Sequence, residues 1–174
     1  MMKTAEFERF QREDGLWNFL KPDGTFLCEE WFKCAYNFSE GFALVQREDG
    51  LCNFLKSDGT IFSTEWFKDA GGFSEGFADV QRNDGLWNFI KPDRTILSTE
   101  WFKAVELFFE GFARVRREDG LCNFIKPDGT FLSTEWFKAV GLFSEGFAKV
   151  ETEDGKWYYL KTDGTLTEIE ENVK

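Results

Sequence analysis

Histidine is absent from this chain of 174 residues. That removes Ser-His-Asp triads, Cys-His pairs and histidine metal ligands at once. Long hydrophobic runs are missing too: no apolar stretch approaches the ~18–20 residues that span a bilayer. The opening residues, Met1 to Asp14, contain nothing that resembles the apolar core of a signal peptide. Cysteine is scarce. Cys28, Cys34, Cys52 and Cys122 form no C-x-x-C pair, so zinc-ribbon and thioredoxin-type sites have no support. Positive charge is in deficit, with 21 Lys and Arg against 32 Asp and Glu and a net charge of −11. That balance disfavours partners held through phosphates, nucleic acid and anionic membranes alike. These absences together predict a cytoplasmic protein with reduced, structural thiols. The alternative is an exported chain with one disulfide between Cys28 and Cys34.

Aromatics are abundant instead: 22 Phe, 7 Trp and 3 Tyr place 18% of the chain in aromatic residues, and 42% is hydrophobic. A core can be built from that. The aromatics recur in register. An Asp-Gly step stands at Asp14-Gly15, Asp49-Gly50, Asp84-Gly85, Asp119-Gly120 and Asp154-Gly155, a spacing of 35 residues each time. A second turn follows, with Gly24, Gly59, Gly129 and Gly164 at equivalent positions and Arg94 as the exception. E-W-F-K and F-S-E-G-F-A link the copies; in one of them Phe109 replaces the serine. The chain is therefore read as one repeat domain over 1–174, with turn-bearing cores near 5–34, 35–69, 70–104, 105–139 and 140–174.

Each unit reads as three short strands. In the first, Ala43, Ala78, Ala113 and Ala148 share an apolar parity with Val45, Val80, Val115 and Val150. The other parity varies: Leu44, Asp79, Arg114, Lys149. One constant apolar face and one variable face predict a half-buried strand. Asp-Gly supplies a hairpin turn. The second strand, such as Leu51 to Lys56, is apolar on both parities and reads as central, and a third is expected through Thr60 to Thr64. The fold class is all-β, as tandem three-stranded antiparallel units in an open twisted array, with a small five-bladed propeller as the alternative. The charged ends, Glu6 to Arg9 and Glu168 to Glu171, suit an open array.

The segment Asp154 to Thr165, D-G-K-W-Y-Y-L-K-T-D-G-T, its four D-G-L-[WC]-N-F relatives and the F-S-E-G-F-A elements resemble the bacterial WG (KWG) β-repeat family. The glycine of the family's name is replaced by Asn18, Asn53, Asn88, Asn123 and Tyr158. The resemblance implies a repeat module for binding or scaffolding, with no catalytic residues to carry over.

No catalytic, cofactor or metal site is expected. The recurrent Asp residues read as turn formers, and the asparagines on the central strands as either a stacked amide ladder or exposed positions at a bulge. The expected function is a non-enzymatic protein–protein interaction or scaffold module. Its candidate contacts are the variable strip Leu44, Asp79, Arg114 and Lys149 and the E-W-F-K phenylalanines Phe32, Phe67, Phe102 and Phe137. Carbohydrate or cell-surface binding through aromatic ridges is the alternative. An acidic decoy for a nucleic-acid-binding protein ranks below both.

Overall fold

The computed structural model describes residues 7–169. Glu6, Glu170 and Glu171 lie outside them. All regular structure is β: β1 (Glu8–Gln11), β2 (Trp17–Leu20), β3 (Cys34–Ala35), β4 (Phe42–Gln46), β5 (Cys52–Lys56), β6 (Asp69–Ala70), β7 (Ala78–Gln81), β8 (Trp87–Ile90), β9 (Ala104–Val105), β10 (Ala113–Arg116), β11 (Cys122–Ile125), β12 (Ala139–Val140), β13 (Phe147–Glu151), β14 (Trp157–Lys161) and β15 (Leu166–Glu168). They form separate open antiparallel sheets, β1-β2, β3-β4-β5, β6-β7-β8, β9-β10-β11 and β12-β13-β14-β15. The chain divides into two compact units, Met1–Gly85 with Phe89–Thr95 and Leu86–Asn88 with Ile96–Lys174, the division passing through β8.

The repeating element is the hairpin made by Asp-Gly. Its register is uniform: Ala43 faces Leu55 and Val45 faces Asn53, as Val115 faces Asn123 and Ala148 faces Leu160. The inward Ala and Val residues are completely buried. The second turn also has the expected shape. Gly24, Gly59, Gly129 and Gly164 have φ of 81–85°, and Arg94 keeps the same geometry at φ 71°. The aspartates cap these turns: Oδ1 of Asp58 accepts from the Thr60 N–H at 2.9 Å and its hydroxyl at 2.6 Å. Those bonds, with Lys56 3.3 Å away, hold the Asp58 carboxyl down to about 2.

The third strand differs from expectation. It is the two-residue β3, β6, β9 or β12, which precedes the hairpin, whereas residues such as 60–64 leave the ladder almost at once. Leu55 bridges Ile61 and Cys52 bridges Phe67. Between them the Phe62 N–H still bonds the Phe54 carbonyl at 2.8 Å. Ser63 to Trp66 therefore stand opposite the single residue Asn53, an enlarged bulge. Two sheets also depart from three strands. The first has only β1 and β2. The last gains β15, where Tyr158, Tyr159 and Leu160 pair straight with Glu168, Thr167 and Leu166.

Asn53 explains the bulge. Its side chain is wholly buried, and Nδ2 donates to the carbonyls of Ser63 at 2.8 Å and Glu65 at 3.0 Å. Oδ1 accepts from the N–H groups of Phe54 at 2.8 Å and Ser63 at 3.2 Å. Asn18, Asn88 and Asn123 make the same pair of carbonyl contacts, ten and twelve residues ahead. The amides thus neither stack in a ladder nor sit exposed: each folds its own repeat's bulge. Where Tyr158 takes the position, the strand runs straight.

Candidate functional site

The hairpins β4-β5 and β10-β11 are packed on both faces, and that decides where the candidate contacts lie. In the first of the two units, Ala43, Val45 and Leu55 pack with Phe19, Phe32 and Ala35 in one cluster. The opposite face, with Phe42 and Phe54, receives Phe73 of the following F-S-E-G. Phe73 stacks on Phe42 at 4.3 Å and meets Phe54 edge-on at 5.0 Å. In the other unit Phe143 repeats this on Phe112 at 4.7 Å and Phe124 at 4.8 Å. A short repeat completes its core with its neighbour's side chains.

Phe32, Phe102 and Phe137 are completely buried and Phe67 is 5% exposed, which overturns their assignment as partner contacts. They pair their backbones with the residue that opens the central strand, as Phe32 does with Trp17, and fill the core behind the bulge. The tryptophans beside them are half-buried at the surface. A guanidinium lies over the ring of Trp31 (Arg12, 4.5 Å), Trp66 (Arg47, 4.1 Å) and Trp136 (Arg117, 3.6 Å).

The variable strip is not a uniform solvent face. Leu44, Asp79 and Arg114 are half-buried and Lys149 alone is exposed. Leu44 stands directly opposite Phe54, and Arg114 opposite Phe124, so the strip shares the face that receives the following repeat. Arg114 donates Nη1 to the Val140 carbonyl at 2.8 Å and pairs with Glu106. Arg9, at the equivalent place, reaches the Ala35 carbonyl at 3.0 Å. Asp79 lies against Gly71, where a Cβ would come within 2.1 Å of Oδ1. That oxygen is buried without a hydrogen bond, and burial pushes the carboxyl above its ordinary range, aided by Asp69. Arg9 and Arg114 thus reach the following repeat, while Asp79 settles against a residue of its own repeat. The sequence did hold a signal of this: the residue eight positions earlier changes in step, Tyr36 with Leu44, Gly71 with Asp79, Glu106 with Arg114, and Gly141 with Lys149.

Sequence reasoning had no cue for the recess that opens beside the first bulge. It measures about 320 Å³ and is lined by Glu30, Trp31, Arg47, Glu48 and Asp49. Arg47 is already engaged there, 2.6 Å from Asp49 and over the Trp66 ring. The Asp49 carboxyl is held low by the Leu51 N–H and by Arg47. Glu30 and Glu48 are left to give the recess a negative balance. The cysteines lie elsewhere as four free thiols. Burial raises Cys28, Cys52 and Cys122, the opposite of what a reactive thiolate needs.

With this geometry in place, comparison with known families is informative. The WG containing repeat matches residues 67–87 and 137–157. Two segments of the chain match the WG repeat. Both matched segments run from the E-W-F-K phenylalanine through F-S-E-G to the tryptophan after Asp-Gly; the copies between and before them end on Cys122 and Cys52. No curated protein matches the chain. Among solved structures it is similar to the computationally designed Ika8 protein, with 15% identity over 94% of this chain and 58% of that one, at a TM-score of 0.44. Hsv2 of Kluyveromyces lactis gives 12% identity over 93% and 59%, at 0.48. BamB of Moraxella catarrhalis gives 9% over 95% and 61%, at 0.42. The chain thus spans about three-fifths of the length of each.

Proposed function

We propose that this WG-repeat protein is a non-enzymatic interaction module that binds a protein partner through basic side chains. The observation that carries the proposal is the recess at Glu30, Trp31, Arg47, Glu48 and Asp49, three carboxylates against one committed guanidinium beside a half-buried indole. Carboxylates and an indole suit a lysine or arginine side chain, and a net charge of −11 steers a basic surface toward them. Sugar stacking is served less well, because arginine occupies one face of Trp31, Trp66 and Trp136. The proposed setting is the cytoplasm, where unreactive thiols stay reduced.

The test is capture from the native host's lysate with wild-type bait and with a Glu30→Lys, Glu48→Lys bait, read by mass spectrometry. A partner held by wild type, lost with the variant and released by salt supports the proposal. Partners shared equally by both baits, or selective glycan-array binding that the charge reversal leaves intact, would overturn it.

A further inference from the structure

The repeat at 140–169 carries the receiving face of a joint, and among the described residues no phenylalanine ring docks on it as in the inner joints. Phe147 stands where Phe42 and Phe112 stand and is 38% exposed; Tyr159, edge-on to it at 4.8 Å, stands where Phe54 and Phe124 stand. In the inner joints that pair receives the phenylalanine of the following F-S-E-G. Two hydrogen bonds accompany it where Phe73 docks. The Ser39 hydroxyl donates to the Phe73 carbonyl at 2.9 Å, and the Glu40 carboxylate accepts from the Gly76 N–H at 2.9 Å. The last repeat carries the same two groups, Ser144 and Glu145, on the same turn, with φ 54° at Glu145 against 52° at Glu40. Both are exposed, and neither side chain has a hydrogen-bond partner among the described residues. Lys149 holds the place from which Arg9 and Arg114 reach a carbonyl across the joint.

We infer that this face is a docking socket for the F-S-E-G segment of a WG repeat on another polypeptide. Each socket residue has its counterpart in an occupied joint, so the occupant is specified chemically. A phenylalanine ring enters between Phe147 and Tyr159, its carbonyl accepts from Ser144, and a glycine N–H two residues after the serine donates to Glu145. None of the described phenylalanines at the equivalent position is left to supply it. Phe38, against Phe7 and Phe19, Phe73 and Phe143 are seated in their own joints, and Phe108 is buried. A second copy offers no vacant plug either, since the position preceding its first hairpin, equivalent to Phe38, is Lys3. Tyr159 and Thr167 replace the Phe54 and Phe62 of an inner joint, which lets the socket meet water when empty. None of its residues lines the Glu30–Trp31 recess.

The probe is a synthetic peptide with the sequence of residues 70–81, A-G-G-F-S-E-G-F-A-D-V-Q, closed as a hairpin by a terminal disulfide to limit its ordering entropy. Titrated into the intact, isotope-labelled protein, it should shift the amide resonances of Ser144, Glu145, Phe147, Lys149 and Tyr159 saturably. Replacing the peptide's first Phe by Ala, or making Phe147→Ala in the protein, should weaken binding at least tenfold. Glu145→Gln, at an exposed position, should weaken it about threefold and guards against a folding defect in Phe147→Ala. No saturable shift, shifts centred elsewhere, or equal binding by the Phe-less peptide would overturn the inference.

Discussion

Gly24 and Gly59 occupy the same place in the same turn with nearly the same φ, 81° and 83°, yet their substitution by alanine should differ severalfold in effect. A Cβ on Gly24 meets nothing within 4 Å. A Cβ on Gly59 would stand 2.2 Å from the Leu27 carbonyl oxygen, because that turn is pressed onto the preceding repeat's backbone. Gly24→Ala therefore incurs only the left-handed backbone penalty, about 1–2 kcal/mol. Gly59→Ala adds the cost of forcing two backbones apart, about 1–3 kcal/mol more by analogy with overpacked cores. For a domain of this size each kcal/mol moves the midpoint by roughly 2–4 °C. Thermal unfolding followed by circular dichroism should place Gly59→Ala clearly below Gly24→Ala, with wild type highest. Equal losses would refute the close approach and leave backbone conformation as the whole reason for glycine.

Arg94→Gly should raise the unfolding midpoint by the equivalent of about 1 kcal/mol, since an exposed Arg at φ 71° loses only a distant ring contact to Phe62 at 5.8 Å; a lower midpoint would contradict this. Asn53→Ala should cost about 2–4 kcal/mol in urea unfolding, because two buried carbonyls and the Phe54 N–H lose their partner together. Asp79→Asn should stabilise at pH 7. A raised carboxyl pKa means that the acid's stabilising contribution is present below the unfolded value and lost as pH rises through the folded one, so the gain over wild type should shrink on acidification below pH 4. A gain independent of pH would show that charge is not the cause. Arg114→Glu should lower the melting temperature, since it places like charge beside Glu106 and abandons the Val140 carbonyl; unchanged melting would restore the strip as a free surface.

The period, the Asp-Gly hairpins, the inward Ala and Val parity and the unusual backbone at Arg94 were all legible in the sequence, because each depends on residues close along the chain. What was hidden depends on where one repeat meets the next. Ser63-Thr64 reads as continued strand; only Asn53, with acceptors ten and twelve residues away, turns the segment into a bulge. That bulge sends the E-W-F-K phenylalanine inward and leaves its tryptophan at the surface, a choice that W-F side by side does not declare. Cys28 was likewise opaque until the bulge placed it at the position of Ser63, with Sγ 3.4 Å from the Glu30 carbonyl.

The variable strip carries the larger lesson about repeat proteins. Variation against a constant background invites the interpretation of a recognition surface, but a stacked array has another source of it. The hairpin is the same problem solved five times, so its residues repeat. Each described joint is its own packing problem between two particular neighbours, so its residues are free to change provided that they change together. Paired change also occurs within a repeat, where Gly71 clears space for the Asp79 carboxylate and Glu106 neutralises the Arg114 guanidinium. A strip residue becomes available to a foreign chain only where no following repeat covers it. Among the four strip residues Lys149 is the exposed one, so exposure distinguishes it where variability alone does not.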